Sequence, residues 1–300
     1  EAAPGGILAR YRRPLWPPLV ASYLAAWSEP GDLVLDPFCQ DATVIRAAAL
    51  AGRRAVAVTR NPLLGLLTRV EAAPPAASDL RAALRRVHLA PKVDVALGDH
   101  LDHLYDVPCS RCGAPVSADA FVWERDQNQP LLAEYRCPNC AQAAREPVAP
   151  GGAAGTAFEA QGFYRRWVAE RLRTETSRDR LQERLLDLYT PRNLYALVSL
   201  TIKVELMFSG SPLLDGLRAA LVEALDLSSK LYQATEEGWR PVRSLHPPRR
   251  YREANVWRAF SGAVERLAAG GAGPAVPLAA SPQQVEPGTA WVATEPLGRV

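Results

Sequence analysis

Near the start of the chain, short continuous apolar runs alternate with segments in which the apolar residues have helical spacing. Short uninterrupted apolar runs at residues 33–35 and 55–58 are typical of buried parallel strands, and the first run ends at Asp36-Pro37. Residues 44–51 between them have helical spacing and stop at Gly52. This order of strand, helix and strand predicts a βαβ unit with a right-handed crossover.

The alternation continues through the first hundred residues. Helical spacing recurs at residues 19–27, 61–70 and 78–87, and residues 93–97 read as a third strand ending at Gly98-Asp99. Strands that alternate with helices in this way predict a doubly wound α/β sheet.

The second half of the chain has a different pattern. A Gly/Ala/Pro-rich linker at residues 147–155 precedes helical spacing at residues 161–188, 193–208 and 213–225. Residues 238–257 are rich in Arg, Pro and aromatics without periodicity. Residues 270–287 are low-complexity and are predicted to form a mobile loop, and residues 290–294 predict a last short strand.

Composition narrows the class of protein. No apolar run approaches the ~18 residues of a membrane span, and the N-terminal residues carry no secretory signal, which predicts a soluble, cytoplasmic protein. The net charge is only +3, but all except three of the 35 Lys and Arg residues are Arg. GC-rich coding explains such a bias, yet Arg also suits bidentate phosphate contact, so nucleic acid is a candidate partner.

The cysteine spacing points to a metal. Four of the five cysteines form two CxxC pairs, Cys109 with Cys112 and Cys137 with Cys140, in an otherwise cysteine-poor chain. Two such knuckles make a tetrahedral tetracysteine zinc site, and residues 120–123 and 134–136 read as the strands of a zinc ribbon. A closed site of this kind is structural. A redox CxxC or unmetallated thiols are the alternatives, and Cys39 is expected to lie outside the site.

The loop after the first strand carries a family resemblance. Residues 34–39, Val-Leu-Asp-Pro-Phe-Cys, look like the first motif of the amino-group DNA methyltransferases, Val-Leu-Asp-Pro-Phe-Cys-Gly-Ser-Gly-Thr. Residues 15–20 and 52–62 resemble two further segments of that family. With the CxxC pairs and residues 188–194, Leu-Tyr-Thr-Pro-Arg-Asn-Leu, the resemblance narrows to adenine-specific DNA methylases containing a zinc ribbon and covers nearly the whole chain.

The resemblance implies a cofactor site for S-adenosylmethionine. It assigns cofactor contacts to residues at the carboxyl ends of the strands and in the entry segment: Trp16, Pro17, Asp36, Pro37, Phe38, Thr59 and Asp99. It also implies that an acidic side chain ends the second strand and that glycines stand at positions 40 and 42. This chain has Thr59, Gln40 and Ala42 there, which predicts two side chains in the cofactor cradle and weakened cofactor binding.

This chain departs further from the family at the catalytic motif. The family holds the target amine with Asp/Asn/Ser-Pro-Pro-Tyr, and the counterpart in this chain is Glu295-Pro296-Leu297-Gly298. Glu295 and Pro296 are therefore the candidate catalytic residues, in a degenerate motif that lacks the aromatic ring on which a flipped base stacks.

One basic segment is a candidate nucleic-acid contact. Arg249, Arg250 and Arg252 lie in the densest run of arginines and aromatics, a composition that suits a phosphate backbone. A solvated loop that packs its aromatics on the helical region is the alternative.

Together these features predict an α/β protein with a Rossmann-like S-adenosylmethionine-dependent methyltransferase sheet, an inserted zinc ribbon and a helical subdomain. The predicted domains are residues 1–106 (first half of the sheet), 107–146 (ribbon), 147–237 (linker and helices) and 238–300 (return to the sheet). The leading hypothesis is a diverged DNA-methyltransferase-like protein with eroded motifs that binds DNA or a protein partner, or a further chain completing the sheet. An active methyltransferase with variant motifs and a structural zinc-ribbon scaffold are the alternatives.

Overall fold

The computed structural model describes residues 7–12, 15–148, 163–172, 179–235, 238–270 and 274–294. Within those residues the fold is mixed α/β. The α-helices are α1 Pro17–Trp27, α2 Thr43–Leu50, α3 Pro62–Ala72, α4 Ala77–His88, α5 Leu97–His103, α6 Phe163–Leu172, α7 Asp179–Leu186, α8 Pro191–Phe208, α9 Leu214–Leu227 and α10 Val256–Ala269.

The strands are β1 Leu33–Asp36, β2 Arg54–Val58, β3 Pro91–Lys92, β4 Val95–Ala96, β5 Asp106–Pro108, β6 Pro115–Ser117, β7 Ala120–Glu124, β8 Gln129–Arg136, β9 Ala143–Pro147, β10 Tyr232–Thr235, β11 Gly238–Pro241, β12 Arg250–Ala254 and β13 Ala290–Ala293. Tertiary contacts divide the chain into two units. The first unit is Glu1–Ala82, Gly210–Ala219 and Val264–Val300, and the second is Ala83–Ser209 and Ala220–Ala263. The predicted domain ranges stay a prediction.

A three-stranded parallel sheet in the order β1-β2-β13 forms the centre of the first unit. Ala55 and Ala57 of β2 are fully buried against Ile45 and Ala48 of α2, and these small side chains let the helix lie close to the sheet. The predicted strand, helix and strand of the βαβ unit and the predicted last strand are confirmed.

The proposed third strand of this sheet is wrong. Residues 93–97 were expected to extend the parallel sheet, but β3 and β4 pair with each other in an antiparallel hairpin, and a helix begins at Leu97. Val93 has φ 56°, a turn conformation that ends the extended run after two residues. Gly98 then allows the His88 ring to lie against the backbone of α5.

The low-complexity stretch also differs from its prediction as a mobile loop. Val276 is buried in the core of the first unit and donates its backbone N–H to the Ala72 carbonyl, and Val285 packs beside Val56. These two apolar side chains tie the stretch to the sheet. Its residues 271–273 lie outside the described residues.

A six-stranded antiparallel sheet in the order β11-β10-β12-β7-β8-β9 dominates the second unit. The two ribbon strands, β7 and β8, are confirmed, and β7 also pairs with β12 over five residues. Residues 238–257, which show no periodicity in sequence, thus supply two strands of this sheet. One face of the sheet buries Phe121, Trp123, Tyr135 and Tyr251.

The segment of residues 188–194 has a structural role in this unit. Thr190 caps α8 by accepting the Asn193 N–H (3.2 Å) and donates its hydroxyl to the buried carboxylate of Glu253. Arg192 reaches Glu253 (3.3 Å) and the Leu104 carbonyl. Pro191 stands at the first helical position, where its missing N–H costs nothing. These residues lock the helices onto the ribbon sheet.

Helix α1 and strand β1 both expose apolar side chains, on different faces of the sheet. Helix α1 contains no charged residue and no buried residue, and Trp16, Tyr23 and Trp27 are all exposed, Trp27 by 83%. On β1, Leu33 and Leu35 are more than half exposed, although parallel strands are normally covered on both faces. We call the exposed side chains of Trp16, Leu19, Tyr23 and Trp27 the α1 surface, and Leu33 and Leu35, which point to the sheet face opposite Val34, the β1 leucines.

Two further observations complete the fold. Arg53 is buried beneath the end of α1, where its guanidinium donates to the carbonyls of Leu24 (3.1 Å) and Ser28 (2.6 Å) and so caps that helix. In the part of the chain that is described, no helix combines the length and apolar character that crossing a bilayer requires.

We expect the double substitution Tyr23→Gln with Trp27→Gln to lower the fluorescence of the apolar-surface dye bis-ANS bound to the protein. Both rings are exposed, so removing them should change the unfolding free energy by only about 0.5 kcal/mol per site. Leu206→Gln, which removes an exposed apolar side chain far along the sequence, is the control and should leave most of the signal. An unchanged dye signal in the double variant would show that the α1 surface is covered.

Candidate metal centre and strand-end crevice

The four ribbon cysteines converge at one point. Their Sγ atoms all lie within 4.8 Å of one another, with Cys109 and Cys140 3.7 Å apart and Cys112 and Cys137 3.7 Å apart. Metal–sulfur bonds of ~2.3 Å in a tetrahedron place the sulfurs about 3.8 Å apart, whereas a disulfide needs ~2.05 Å. The four cysteines are thus spaced to hold a metal ion.

The two CxxC turns have matching backbones. Gly113 and Ala141, the residues directly after the two pairs, both have left-handed φ angles, 71° and 57°. The Cys109 N–H donates to the Ala114 carbonyl (2.9 Å), and the Cys137 N–H donates to the Gln142 carbonyl (2.8 Å). Each turn therefore aims both of its thiols in one direction, as two knuckles of a single site.

Backbone N–H groups favour the thiolate form at the first knuckle. Hydrogen bonds from the N–H groups of Cys112 and Arg111 outweigh burial and lower the pKa of Cys109 to about 6. The Ala114 N–H lowers the pKa of Cys112 in the same way. At Cys140 the Gln142 N–H also favours the thiolate, but burial and the neighbouring sulfurs raise its pKa to about 11. Thiolates are the form that binds a metal.

The ribbon core holds the site in place. Cys109 and Cys137 are buried among Trp123 and Tyr135, and the Tyr135 hydroxyl accepts the Ser110 N–H (3.1 Å) within the first knuckle. Four sulfur ligands complete a tetrahedron without an open position, so the site is suited to structure and not to catalysis.

Cys39 lies outside the four-cysteine cluster, as the sequence predicts. Its Sγ lies 3.2 Å from Thr68 Oγ1 and 3.2 Å from the Asp41 carbonyl, and burial raises its pKa to about 11. It is a buried, protonated thiol of the first unit's core.

The predicted cofactor residues of the first unit lie around the carboxyl end of β1. Leu15 donates its N–H to Asp41 Oδ2 (3.2 Å), which ties the entry segment to the loop after β1. Trp16 is the N-cap residue of α1, and Pro17 is its first residue. Asp36 ends β1 and accepts the Phe38 N–H (3.2 Å), and the Phe38 ring is 76% exposed. Burial raises the pKa of Asp36.

Gln40 and Ala42, whose side chains are expected to fill the cofactor cradle, lie in different environments. Gln40 is exposed to solvent, whereas Ala42 is buried in the core against Ile45 and its neighbours. The loop between Asp36 and Thr43 contains no residue with a left-handed φ. The backbone of this loop therefore needs no glycine. Of the two side chains that replace glycine, only Gln40 lies on the solvent-exposed side of the loop.

The Thr59 hydroxyl already takes part in a hydrogen bond within the protein. Its side chain is 6% exposed, and its Oγ1 accepts the Asn61 N–H (3.3 Å), while Asn61 caps α3 by accepting the Leu63 N–H (3.0 Å). The hydroxyl at the end of β2 thus stabilises the turn into α3 and offers little to a ligand.

Asp99 does not follow a strand of the parallel sheet. It lies in the first turn of α5, within the second unit, and its carboxylate is 3.4 Å from His88 Nε2. The reason is the hairpin of β3 and β4, which replaces the expected third strand.

The candidate catalytic residues Glu295 and Pro296 lie outside the described residues. Strand β13, which precedes them, pairs with β2, so β2 separates it from β1. Gly65 of α3 approaches the end of this strand so closely that a Cβ would meet the Thr294 side chain.

The predicted nucleic-acid residues divide into two groups. Arg249 and Arg250 are exposed and share the buried carboxylate of Glu124 at 2.8 and 3.3 Å, which holds the pKa of Glu124 below its usual range. Arg252 is half-buried, stacks its guanidinium 5.6 Å from the centre of the Trp239 ring, and has a pKa lowered by burial. Its place within β12 turns it toward that ring, so Arg249 and Arg250 are the two exposed guanidiniums of the three.

One polar cluster escaped prediction. Lys92, His100, Tyr164, Tyr195 and Ser199 meet in the second unit. They come from four separate elements and have no recurring spacing along the sequence, so no sequence motif predicts the cluster.

Comparisons of the chain with protein-family models, with curated proteins and with solved structures return no match.

We expect elemental analysis of the purified protein to find one metal ion per chain. Cys112→Ser should abolish it and lower the unfolding temperature, because a ribbon of this size depends on its metal to fold. Cys39→Ser, which changes a thiol outside the cluster, is the matched control and should keep the ion. Metal retained after all four ribbon cysteines are changed to Ser would contradict the site.

Proposed function

We propose that this chain is a diverged DNA-methyltransferase-like protein of the zinc-ribbon-containing adenine-specific type. The first unit supplies part of a Rossmann-like methyltransferase sheet, and the second supplies the zinc ribbon and helical subdomain. The protein binds nucleic acid, or a partner that completes the sheet, and its methyl transfer is weak or absent.

The metal in this proposal is zinc. Four thiolates in a closed tetrahedron are the donor set typical of structural zinc, and the measured sulfur spacing fits it. Zinc there stabilises the ribbon sheet, on which Arg249 and Arg250 are displayed.

The character of the crevice supports a cationic cofactor. Asp36 and Asp41 lie at and after the carboxyl end of β1, together with the exposed Phe38 ring, and Asp41 accepts the N–H of Leu15, the neighbour of exposed Trp16. Asp41 accepts the Thr43 N–H (2.7 Å) at the start of α2, a position at which a phosphate-bearing cofactor would need that donor. Carboxylates and aromatic faces attract positive charge, as on the sulfonium of S-adenosylmethionine.

The chain's own residues fit this cofactor incompletely. Trp16, Pro17 and Phe38 would contact its apolar parts, and Asp36 would accept a hydrogen bond; when bound, the cofactor supplies the methyl group. The single observation that carries the proposed loss is Thr59, because the hydroxyl that replaces the expected carboxylate is buried and already accepts the Asn61 N–H. Without a charged acceptor, the charge-assisted bonds to the ribose are missing.

The α1 surface and the exposed edge of β1 support the partner half of the proposal. In the described part of the sheet, β1 pairs only with β2, which leaves its other edge and its two leucines without a cover. Edge strands of this apolar character are normally paired or protected. The partner in this proposal is a polypeptide that adds a strand beside β1 and packs on α1.

An active methyltransferase with variant motifs is the alternative function, favoured by the retention of Asp36 and Phe38 at the end of β1. Transfer of radiolabelled methyl groups to DNA, measured with protein free of host methylases, decides between the two, and measurable transfer by the unmodified chain would favour this alternative.

We expect Thr59→Asp to tighten binding of S-adenosylmethionine, measured by isothermal titration calorimetry, by about tenfold. A charged acceptor at this position is worth roughly 1.5 kcal/mol. Thr59→Asn is the matched control, because it has the same size and no charge, and it should give a smaller gain. Tight binding by the unmodified protein, or equal gains in both variants, would contradict the eroded-anchor argument.

We expect Arg249→Gln with Arg250→Gln to weaken binding to a generic DNA duplex and to flatten its salt dependence. Two lost phosphate contacts on a duplex remove ~1.8 from the slope of log K against log salt. The pair Arg81→Gln with Arg85→Gln changes the same number of charges on α4 and should leave the slope unchanged. An unaltered slope in the first variant would assign Arg249 and Arg250 to surface ion pairing alone.

A further inference from the structure

A lysine of the β3–β4 hairpin lies among hydroxyl groups. Lys92 Nζ is 3.4 Å from Ser199 Oγ and 3.5 Å from the Tyr164 hydroxyl, which come from α8 and α6. The ammonium also lies 5.1 Å from the centre of the Tyr195 ring. All of these residues belong to the second unit.

The cluster holds more donors than acceptors. Lys92 has no carboxylate partner in the described part of the chain, and two of its three N–H groups point to the hydroxyls of Ser199 and Tyr164. Because each hydroxyl oxygen accepts from the ammonium, its own proton is turned toward another acceptor. Ser199 is only 4% exposed, so its hydroxyl hydrogen has little access to bulk water.

Tyr195 and His100 position this group. Their hydroxyl and Nε2 atoms are 2.8 Å apart. Burial, followed by the charges of Lys92 and His103, lowers the pKa of His100, which favours the neutral ring that can accept a hydrogen bond from the Tyr195 hydroxyl. The Tyr195 ring also packs edge-on against Tyr164, with ring centres 4.7 Å apart. The two tyrosine rings thereby fix the place of the Lys92 ammonium.

The hairpin carries backbone strain beside the lysine. Val93 has φ 56°, which a β-branched residue rarely adopts, and its side chain is 85% exposed, so no packing explains the conformation. Strained turns of this kind persist where the position of a neighbouring side chain matters.

We propose that Lys92, Tyr164 and Ser199 form an oxyanion site that binds a phosphate group, with Tyr195 and His100 as positioning residues. One ammonium and two hydroxyls converge, and a phosphate would supply negative charge to the ammonium and acceptor oxygens to all three groups. This site is separate from Arg249 and Arg250 and does not depend on the function proposed above. Free phosphate and the terminal phosphate of a nucleic acid share the chemistry that it recognises.

The test is a thermal-unfolding titration of the full chain with inorganic phosphate, at constant ionic strength set by chloride. The unmodified protein should show a saturable rise in unfolding temperature, because a ligand that binds only the folded state stabilises it. Lys92→Met, which keeps the chain length and removes the charge, should weaken phosphate binding by about tenfold or more. Lys92→Arg should retain binding.

Two comparisons keep the outcome specific. General salt stabilisation acts on every variant alike, so Arg85→Met, which removes a charge from α4, should respond like the unmodified protein. Tyr164→Phe and Ser199→Ala each remove one hydroxyl and should each weaken binding several-fold, which covers the case in which Lys92→Met does not fold. A rise in unfolding temperature without saturation, or an equal response in Lys92→Met and the unmodified protein, would overturn the site.

A second arm distinguishes the sources of the phosphate. Short oligothymidylates with a 5′-phosphate or a 5′-hydroxyl serve as probes in the same titration. Tighter binding of the 5′-phosphorylated oligonucleotide than of inorganic phosphate identifies a nucleic-acid end as the ligand, and tighter binding of inorganic phosphate identifies the free ion. Loss of either preference in Lys92→Met supports the site, and equal binding of the phosphorylated and hydroxyl oligonucleotides together with no response to inorganic phosphate overturns it.

Discussion

The second unit depends on one buried carboxylate. Glu253, on the central strand β12, is 1% exposed and accepts the Trp123 indole N–H (2.5 Å), the Thr190 hydroxyl and the Arg192 guanidinium (3.3 Å). A buried charge is tolerated only when it is paired and hydrogen-bonded, so these partners must stand where they do. Since Trp123 belongs to the ribbon sheet, Thr190 is the N-cap of α8 and Arg192 lies in its first turn, this carboxylate joins the cysteine-bearing sheet to the helices.

Local signals account for what the sequence predicted well. The CxxC pairs are predictable because four neighbouring residues determine each knuckle. The βαβ unit is predictable because its buried strands are uninterrupted apolar runs. The strand at residues 93–97 failed because an apolar run alone does not distinguish a sheet strand from a hairpin, and the left-handed Val93 decided between them. The place of Arg252 beside Trp239 follows from long-range strand pairing, which no local pattern contains.

The same reasoning explains the unforeseen role of residues 188–194. A threonine followed by a proline predicts a helix start, and α8 begins there. The burial of Arg192 and Asn193 has no such signal, because it requires Glu253 and the Tyr105 hydroxyl (2.7 Å from Asn193 Oδ1) to arrive from elsewhere in the chain. A motif that supports a family resemblance is thus explained in this fold by packing, and its presence carries no evidence for catalysis by itself.

The distribution of charge gives the proposed function its logic. Asp36, Asp41 and the exposed Phe38 lie at the carboxyl end of β1 in the first unit, whereas Arg249, Arg250 and the four cysteines belong to the second unit. In the described part of the chain, the hydrogen bonds of one group involve no residue of the other. Under the proposed function, a change such as Thr59 in place of a carboxylate would therefore lower cofactor affinity without touching the four cysteines or the arginines. The proposed methyl transfer would need both groups, but the proposed nucleic-acid binding would need only Arg249 and Arg250, so on this proposal changes at the end of β1 remove the chemistry first and leave the binding in place.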